Sequence, residues 1–130
     1  MRIGGPSAAL ILDTTDRPGY MGARLQSEGL RAEHTIYRHY DSGFRDLADF
    51  FDSLERDWRG WAGVRTWTSL EGDLEIRANH DGHVQLAVRL QPAPDRLWTA
   101  TAYLTIDPGE ELTIIAKQSR QLALTTAGQP

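Results

Sequence analysis

Two short clusters in this chain have the residue types that metal binding or acid–base chemistry would use. His80, Asp81 and His83 could offer imidazole and carboxylate ligands, but a metal site needs three or more converging donors and no further ligand is placed by spacing to join them. Asp81-Gly82 is also the strongest hairpin signal in the chain, so a turn accounts for the cluster. Glu71, Asp73 and Glu75 could be paired carboxylates, yet such pairs act across a cleft and these three sit in and beside a predicted turn. His34 and His39 fall on opposite faces of a predicted strand by period two. Ser42, Ser53 and Ser69 have no Gly-x-Ser-x-Gly context, there is no glycine-rich phosphate loop, and cysteine is absent. The sequence therefore assigns no catalytic residue, no metal ligand and no cofactor.

The elements that must position these residues start with the stretch from Phe44 to Trp67. Phe44, Leu47, Phe51, Leu54, Trp58 and Trp61 alternate spacings of three and four, which is one face of a helix predicted over residues 43–59. Asp41 and Ser42 are its candidate N-caps and Gly60 its stop. Before it, Ala8–Asp13, Tyr20–Glu28 and Leu30–Tyr40 read as strands, the last two joined as a hairpin through Glu28-Gly29. After it come strands at Arg65–Leu70, Leu74–Asn79, His83–Gln91 and Leu97–Ile106. Asp107-Pro108-Gly109-Glu110 opens a second helix to about Leu124, with Glu110 closing a capping box and Leu112, Ile115, Ala116, Ser119 and Leu122 buried. Trp58, Trp61 and Trp98 are expected in the core. The expected fold is α+β: a curved antiparallel sheet of about seven strands, order βββ-α-ββββ-α, with both helices on one face. Residues 1–130 are expected to form a single domain, with 1–7 and 125–130 as loose termini.

At 130 residues, 40% hydrophobic and 25% charged, the chain has an ordinary globular composition. A formal charge of -4 without a basic cluster argues against nucleic acid as a partner. The apolar run Ala8–Leu12 is too short for a signal core or a membrane span, so a cytoplasmic protein without membrane attachment is expected. Lys117 is the single lysine among 14 basic residues, an arginine bias typical of a GC-rich genome.

If both helices cover one face, the other carries an outward row of Trp67, Ser69, Glu75, Arg77, Asn79, His83, Gln85, Arg89, Thr99, Thr101 and Tyr103. Tryptophan, tyrosine and arginine are enriched at interaction hot spots, which makes Trp67, Arg77, Arg89 and Tyr103 the candidate partner-binding residues.

The run Trp58-Arg59-Gly60-Trp61, with Gly63, Arg65, Trp67, Ser69, Leu70-Glu71-Gly72-Asp73-Leu74 and His80-Asp81-Gly82-His83-Val84, resembles a family of small actinobacterial proteins described only as a domain of unknown function. Leu97-Trp98 and Gly109-Glu110-Glu111-Leu112 fit the same pattern, so the resemblance covers most of the chain and implies no activity. In size, acidity and architecture the chain is also similar to immunity proteins of bacterial polymorphic toxin systems. The preferred expectation is a non-enzymatic protein-interaction module, specifically an immunity-type inhibitor. The alternatives are a small-ligand binder or enzyme with a pocket between sheet and first helix near Trp61, Trp67 and Tyr37, and a homodimer formed through a sheet face or edge.

Overall fold

In the computed structural model, which describes residues 1–127, eight strands form two four-stranded antiparallel sheets where one sheet of seven is expected. The first is a meander of β1 (Arg2–Gly4), β2 (Ala8–Thr14), β3 (Tyr20–Ser27) and β4 (Leu30–Tyr37). Helix α1 (Arg45–Arg56) follows, then a second meander of β5 (Arg65–Thr68), β6 (Leu74–His80), β7 (Val84–Leu90) and β8 (Ala100–Ile106), and finally α2 (Glu110–Ala127). The helix between β4 and β5 separates the meanders, and each closes on its own hairpins.

The extra strand lies in the segment expected to be loose. Ile3 is fully buried and β1 pairs with β2 in the register Ile3↔Leu10, while the Met1 ammonium donates to the Leu12 carbonyl at 2.8 Å. Gly4 permits the reversal, since its φ is +107° and a Cβ there would stand 2.5 Å from the Ala8 carbonyl oxygen. At the other terminus, Thr125, Thr126 and Ala127 continue α2 instead of forming a polar tail, with Thr126 buried; the remainder of that expected tail, 128–130, lies outside the described residues.

Strand alternation works as expected where one face is apolar. Met21, Ala23, Leu25 and Ile36 in the first sheet, and Leu74, Ile76, Ala78, Val84, Leu86, Val88 and Leu90 in the second, are buried and belong to one contiguous cluster. The helices do not both cover one sheet. They pack against each other, with α1 also meeting β5 and α2 meeting β2, and their faces (Leu47, Phe51, Leu54; Leu112, Ile115, Leu122) join the same cluster.

Both helix starts differ from expectation in their chemistry. The N-cap of α1 is Phe44, with no side-chain cap; Asp41 and Ser42 instead occupy a tight loop closed by mutual backbone hydrogen bonds between His39 and Gly43. The helix ends at Arg56, earlier than expected, and Arg65 braces its last turn, Nη1 donating to the Ser53 carbonyl at 3.0 Å and Nη2 to the Asp57 carboxylate at 2.7 Å. At α2, Asp107 accepts from Gly109 N at 2.6 Å, and Glu111, not Glu110, reaches back to Asp107 N at 3.2 Å.

Strand β8 begins at Ala100, three residues later than expected, and Leu97 and Trp98 lie exposed in the loop before it. The inward row of β8 is otherwise as expected, and this strand comes closest to the first sheet, meeting β1, β2 and β3. Small side chains at Ala100 and Ala102 allow that approach. Ala102→Leu should overpack the junction and lower stability by about 1–3 kcal/mol, read from urea unfolding midpoints at constant slope.

Candidate interaction face

The outer face of the second sheet is built by cross-strand register. One row runs Thr66, Arg77, Ala87 and Tyr103, and the next runs Thr68, Glu75, Arg89 and Thr101. Arg89 Nη2 meets Glu75 Oε2 at 3.3 Å, so its charge is already matched. Gln85 accepts from the Thr105 hydroxyl at 2.8 Å. Arg77 is exposed and takes part in no ion pair among the described residues. Tyr103 is 77% exposed, and the small Ala87 between these two side chains leaves a shallow cavity of about 430 Å³, walled on its far side by Val64. An aromatic ring and an unmatched guanidinium flank an apolar floor here.

Trp67 and Ser69 are not on this face. Both are buried, Trp67 at 5% exposure, and Trp67 stands opposite Ile76 on the inner side. The cause is one residue of loop length. A three-residue turn at Glu71-Gly72-Asp73 would set Trp67 opposite Arg77, but Ser69 N donates to the Leu74 carbonyl at 2.9 Å, so the loop holds Leu70 through Asp73. A one-residue slip in register moves every side chain of a strand to the other face. Inside, the Trp67 indole donates to Asp46 Oδ2 at 2.8 Å, and His39 Nε2 lies 3.0 Å from the same oxygen.

The residues with chemical potential are likewise committed to structure. Asp73 is buried; Oδ1 accepts from Ser69 Oγ at 2.5 Å, and Oδ2 lies 3.1 Å from His34 Nε2. The carboxylate stands between serine and histidine, whereas a nucleophilic triad needs the histidine in the middle. Ser69 Oγ also accepts from Leu74 N at 2.9 Å, which fixes the turn. Glu75 is on the outer face and Glu71 on the exposed turn, so the three acids share no cleft. His80 Nε2 lies 2.8 Å from the Trp58 carbonyl oxygen while Nδ1 accepts from Gly82 N. Among the described residues no three His, Cys, Asp or Glu side chains are grouped to hold a metal ion.

Asp81 accepts from His83 N at 3.2 Å and, more distantly, from Gln85 Nε2 at 3.4 Å. The backbone hydrogen bond from His83, with a smaller share from Gln85, holds its carboxyl below the usual carboxylate value.

The three residues expected to line a pocket between sheet and first helix each have packing partners of their own. Trp67 belongs to the core, Tyr37 packs on Tyr20 and Tyr40, and Trp61 packs edge-on against His80. Two residues not singled out as site residues are exposed in the loop between α1 and β5: Val64 at 53%, which lines the cavity beside Tyr103, and Trp58 at 46%. Gly60 and Gly63, both at positive φ on either side of Trp61, are the sequence signal that this stretch is loop. Trp58 is therefore not the core residue its helical spacing implies.

Residues 8–125 match a family of unknown function (DUF6228). No curated protein and no solved structure gives a significant match to the chain.

Asp73→Ala should cost about 1.5–3 kcal/mol in chemical denaturation, while Tyr103→Ala should stay within about 0.5 kcal/mol of wild type. Because the folded state depresses the Asp81 carboxyl, its contribution is present above the ordinary carboxylate range and is lost as pH falls through the folded value. Asp81→Asn should therefore lower Tm at neutral pH and leave it unchanged at strongly acid pH, in paired thermal melts.

Proposed function

We propose that this chain, which belongs to the family of unknown function DUF6228, is a non-enzymatic protein-interaction module that binds its partner through the outer face of β5–β8. The observation that carries the reading is the Arg77–Ala87–Tyr103 row: an exposed ring and a guanidinium without an ion-pair partner on either side of a small residue. Aromatic and arginine anchors around a shallow apolar floor are what binding hot spots are made of. The surrounding Thr66, Thr68, Thr101 and Thr105 are exposed and uncharged, which keeps the desolvation cost of covering this face low.

The finer form of the proposal is an immunity-type inhibitor acting in the cytoplasm, which occludes a toxin by covering it. Small size, mild acidity and the commitment of Ser69, Asp73, His34 and His80 to structural hydrogen bonds support that form over catalysis. Among the described residues no helix is long and apolar enough to cross a membrane.

Affinity capture from a lysate of the native host, with wild type beside a Tyr103→Ala, Arg77→Ala double variant and an Arg31→Ala control on the other sheet, tests the reading. A protein retained by wild type and control should bind the double variant at least about thirtyfold more weakly, since hot-spot truncations cost about 2 kcal/mol or more. Equal retention by the double variant would remove the interface from this face. Capture of nothing but a second copy of the chain would replace the partner with a homodimer. If the retained protein is a toxin, co-expression with wild type should restore growth and the double variant should not.

A further inference from the structure

The outer face of the first sheet holds a second recess, different in chemistry from the Tyr103 face. It is a groove of about 670 Å³ crossing β2, β3 and β4 and reaching the turn that joins β5 to β6. Its floor is open because Gly22 stands where a side chain would otherwise project, opposite Asp13 on one neighbouring strand and Thr35 on the other. Ile11 supplies an apolar patch beside it.

Arg24 is the unusual residue. It sits on a central strand with Nε buried and without a hydrogen-bond partner, and it forms no ion pair among the described residues. An unpaired buried guanidinium nitrogen is costly, because its lost hydration is not replaced. Glu33 is directly across the strand pair and could have matched it, but Glu33 Oε1 is taken by Arg31 at 3.0 and 3.2 Å. Asp13 is likewise taken by the Met1 ammonium at 3.3 Å. Arg17 adds a second cation, its guanidinium carbon 4.0 Å over the Tyr20 ring. The Asp13 and Glu33 acids of the groove are thus matched by cations elsewhere, which leaves the Arg24 guanidinium without a carboxylate partner among the described residues and that of Arg17 held over the Tyr20 ring.

We propose that this groove binds a small organic carboxylate, its oxygens paired with the Arg24 guanidinium and its body lying over Gly22 between Ile11 and Tyr20. A planar guanidinium and a carboxylate match as a two-pronged pair, and such bonds are roughly twice as strong as neutral ones. The Asp13, Glu33 and Glu71 carboxylates on the rim favour a singly charged ligand over a phosphate, whose second charge they repel. The exposed Thr35 hydroxyl offers a further polar contact.

Titration of the isotope-labelled full chain with acetate, lactate, benzoate and inorganic phosphate, followed by amide NMR, tests the assignment. At least one carboxylate should shift the amides of Gly22, Arg24 and Thr35 saturably in the millimolar range, with phosphate weaker. Arg24→Gln should weaken that binding about tenfold or more, while Arg56→Gln, exposed on α1 and outside the groove, leaves it unchanged. Gly22→Ala is the folded control: its new Cβ would meet only ordinary contacts at 3.7 Å and beyond, so Tm should not fall while affinity does. Absence of any saturable shift at these amides, the same affinity in Arg24→Gln, or phosphate binding more tightly than every carboxylate would each overturn the proposal.

Discussion

The constraint on which the rest of the molecule depends is that the strands other than β2, where Ala9 to Leu12 are buried in succession, are apolar on one face only. A four-stranded meander with one apolar face cannot be left open to water, and neither sheet here has enough helix of its own to cover it. Both therefore turn their apolar rows, and both helices their apolar stripes, onto a single interior. Hydrophobic burial is roughly proportional to area, so merging the cores hides apolar surface that separate meanders would leave wet. The same solution leaves two sheet faces in water, and no packing requirement dictates what they carry.

Burial sets which face of each strand points inward, and polar contacts between elements pin the arrangement further. Two carboxylates sit where elements meet. Asp73 joins the β5–β6 turn to His34 of β4, and Asp46 joins α1 to the indole of β5 and to His39 beyond β4. A buried carboxylate or indole N–H without a partner loses its hydration for nothing, so an arrangement that broke the turn would strand the Asp73 carboxylate, and one that withdrew Asp46 would strand the Trp67 indole. Ion pairs at the surface, such as Arg120 with Asp52 between the helices, add little to this selection.

These polar commitments explain which parts of the fold were legible in the sequence. Period-two alternation placed Met21, Leu25, Ile76 and Val88 inside, because burial acts on each strand independently of its neighbours. The number of sheets was not legible, since alternation shows that a strand has an apolar face but not what covers it. Strand β1 was hidden because glycines and a proline usually interrupt structure, whereas here Gly4 makes the turn that pairs the strand. Trp67 was assigned to the wrong face through a hydrogen bond, Ser69 to Leu74, that adds one residue to the loop and leaves no trace in composition. Arg77, Arg89 and Tyr103 face outward as alternation predicts, because a one-residue slip of β6, β7 or β8 would turn its apolar row into water. The groove of the first sheet is not legible for a related reason: Gly22 and Arg24 are ordinary strand residues until the register of three strands puts a gap beside an unmatched cation.

The two wet faces differ in what they can hold. The Tyr103 face is broad and shallow, with one row of anchors among uncharged threonines, a shape that only a surface of comparable size can cover. The Arg24 groove, at about 670 Å³ the larger of the two recesses, is lined by charged groups, and its central cation has no carboxylate partner among the described residues, a requirement that a small molecule meets at low ordering cost. They lie on different sheets and share no side chain, so substitutions on one should add to those on the other. Their link is the turn from Leu70 to Asp73, which contributes Glu71 to the groove and sets the register that keeps Trp67 out of the Tyr103 face. A change in that turn therefore reaches both faces, whereas a change in either face need not reach the other.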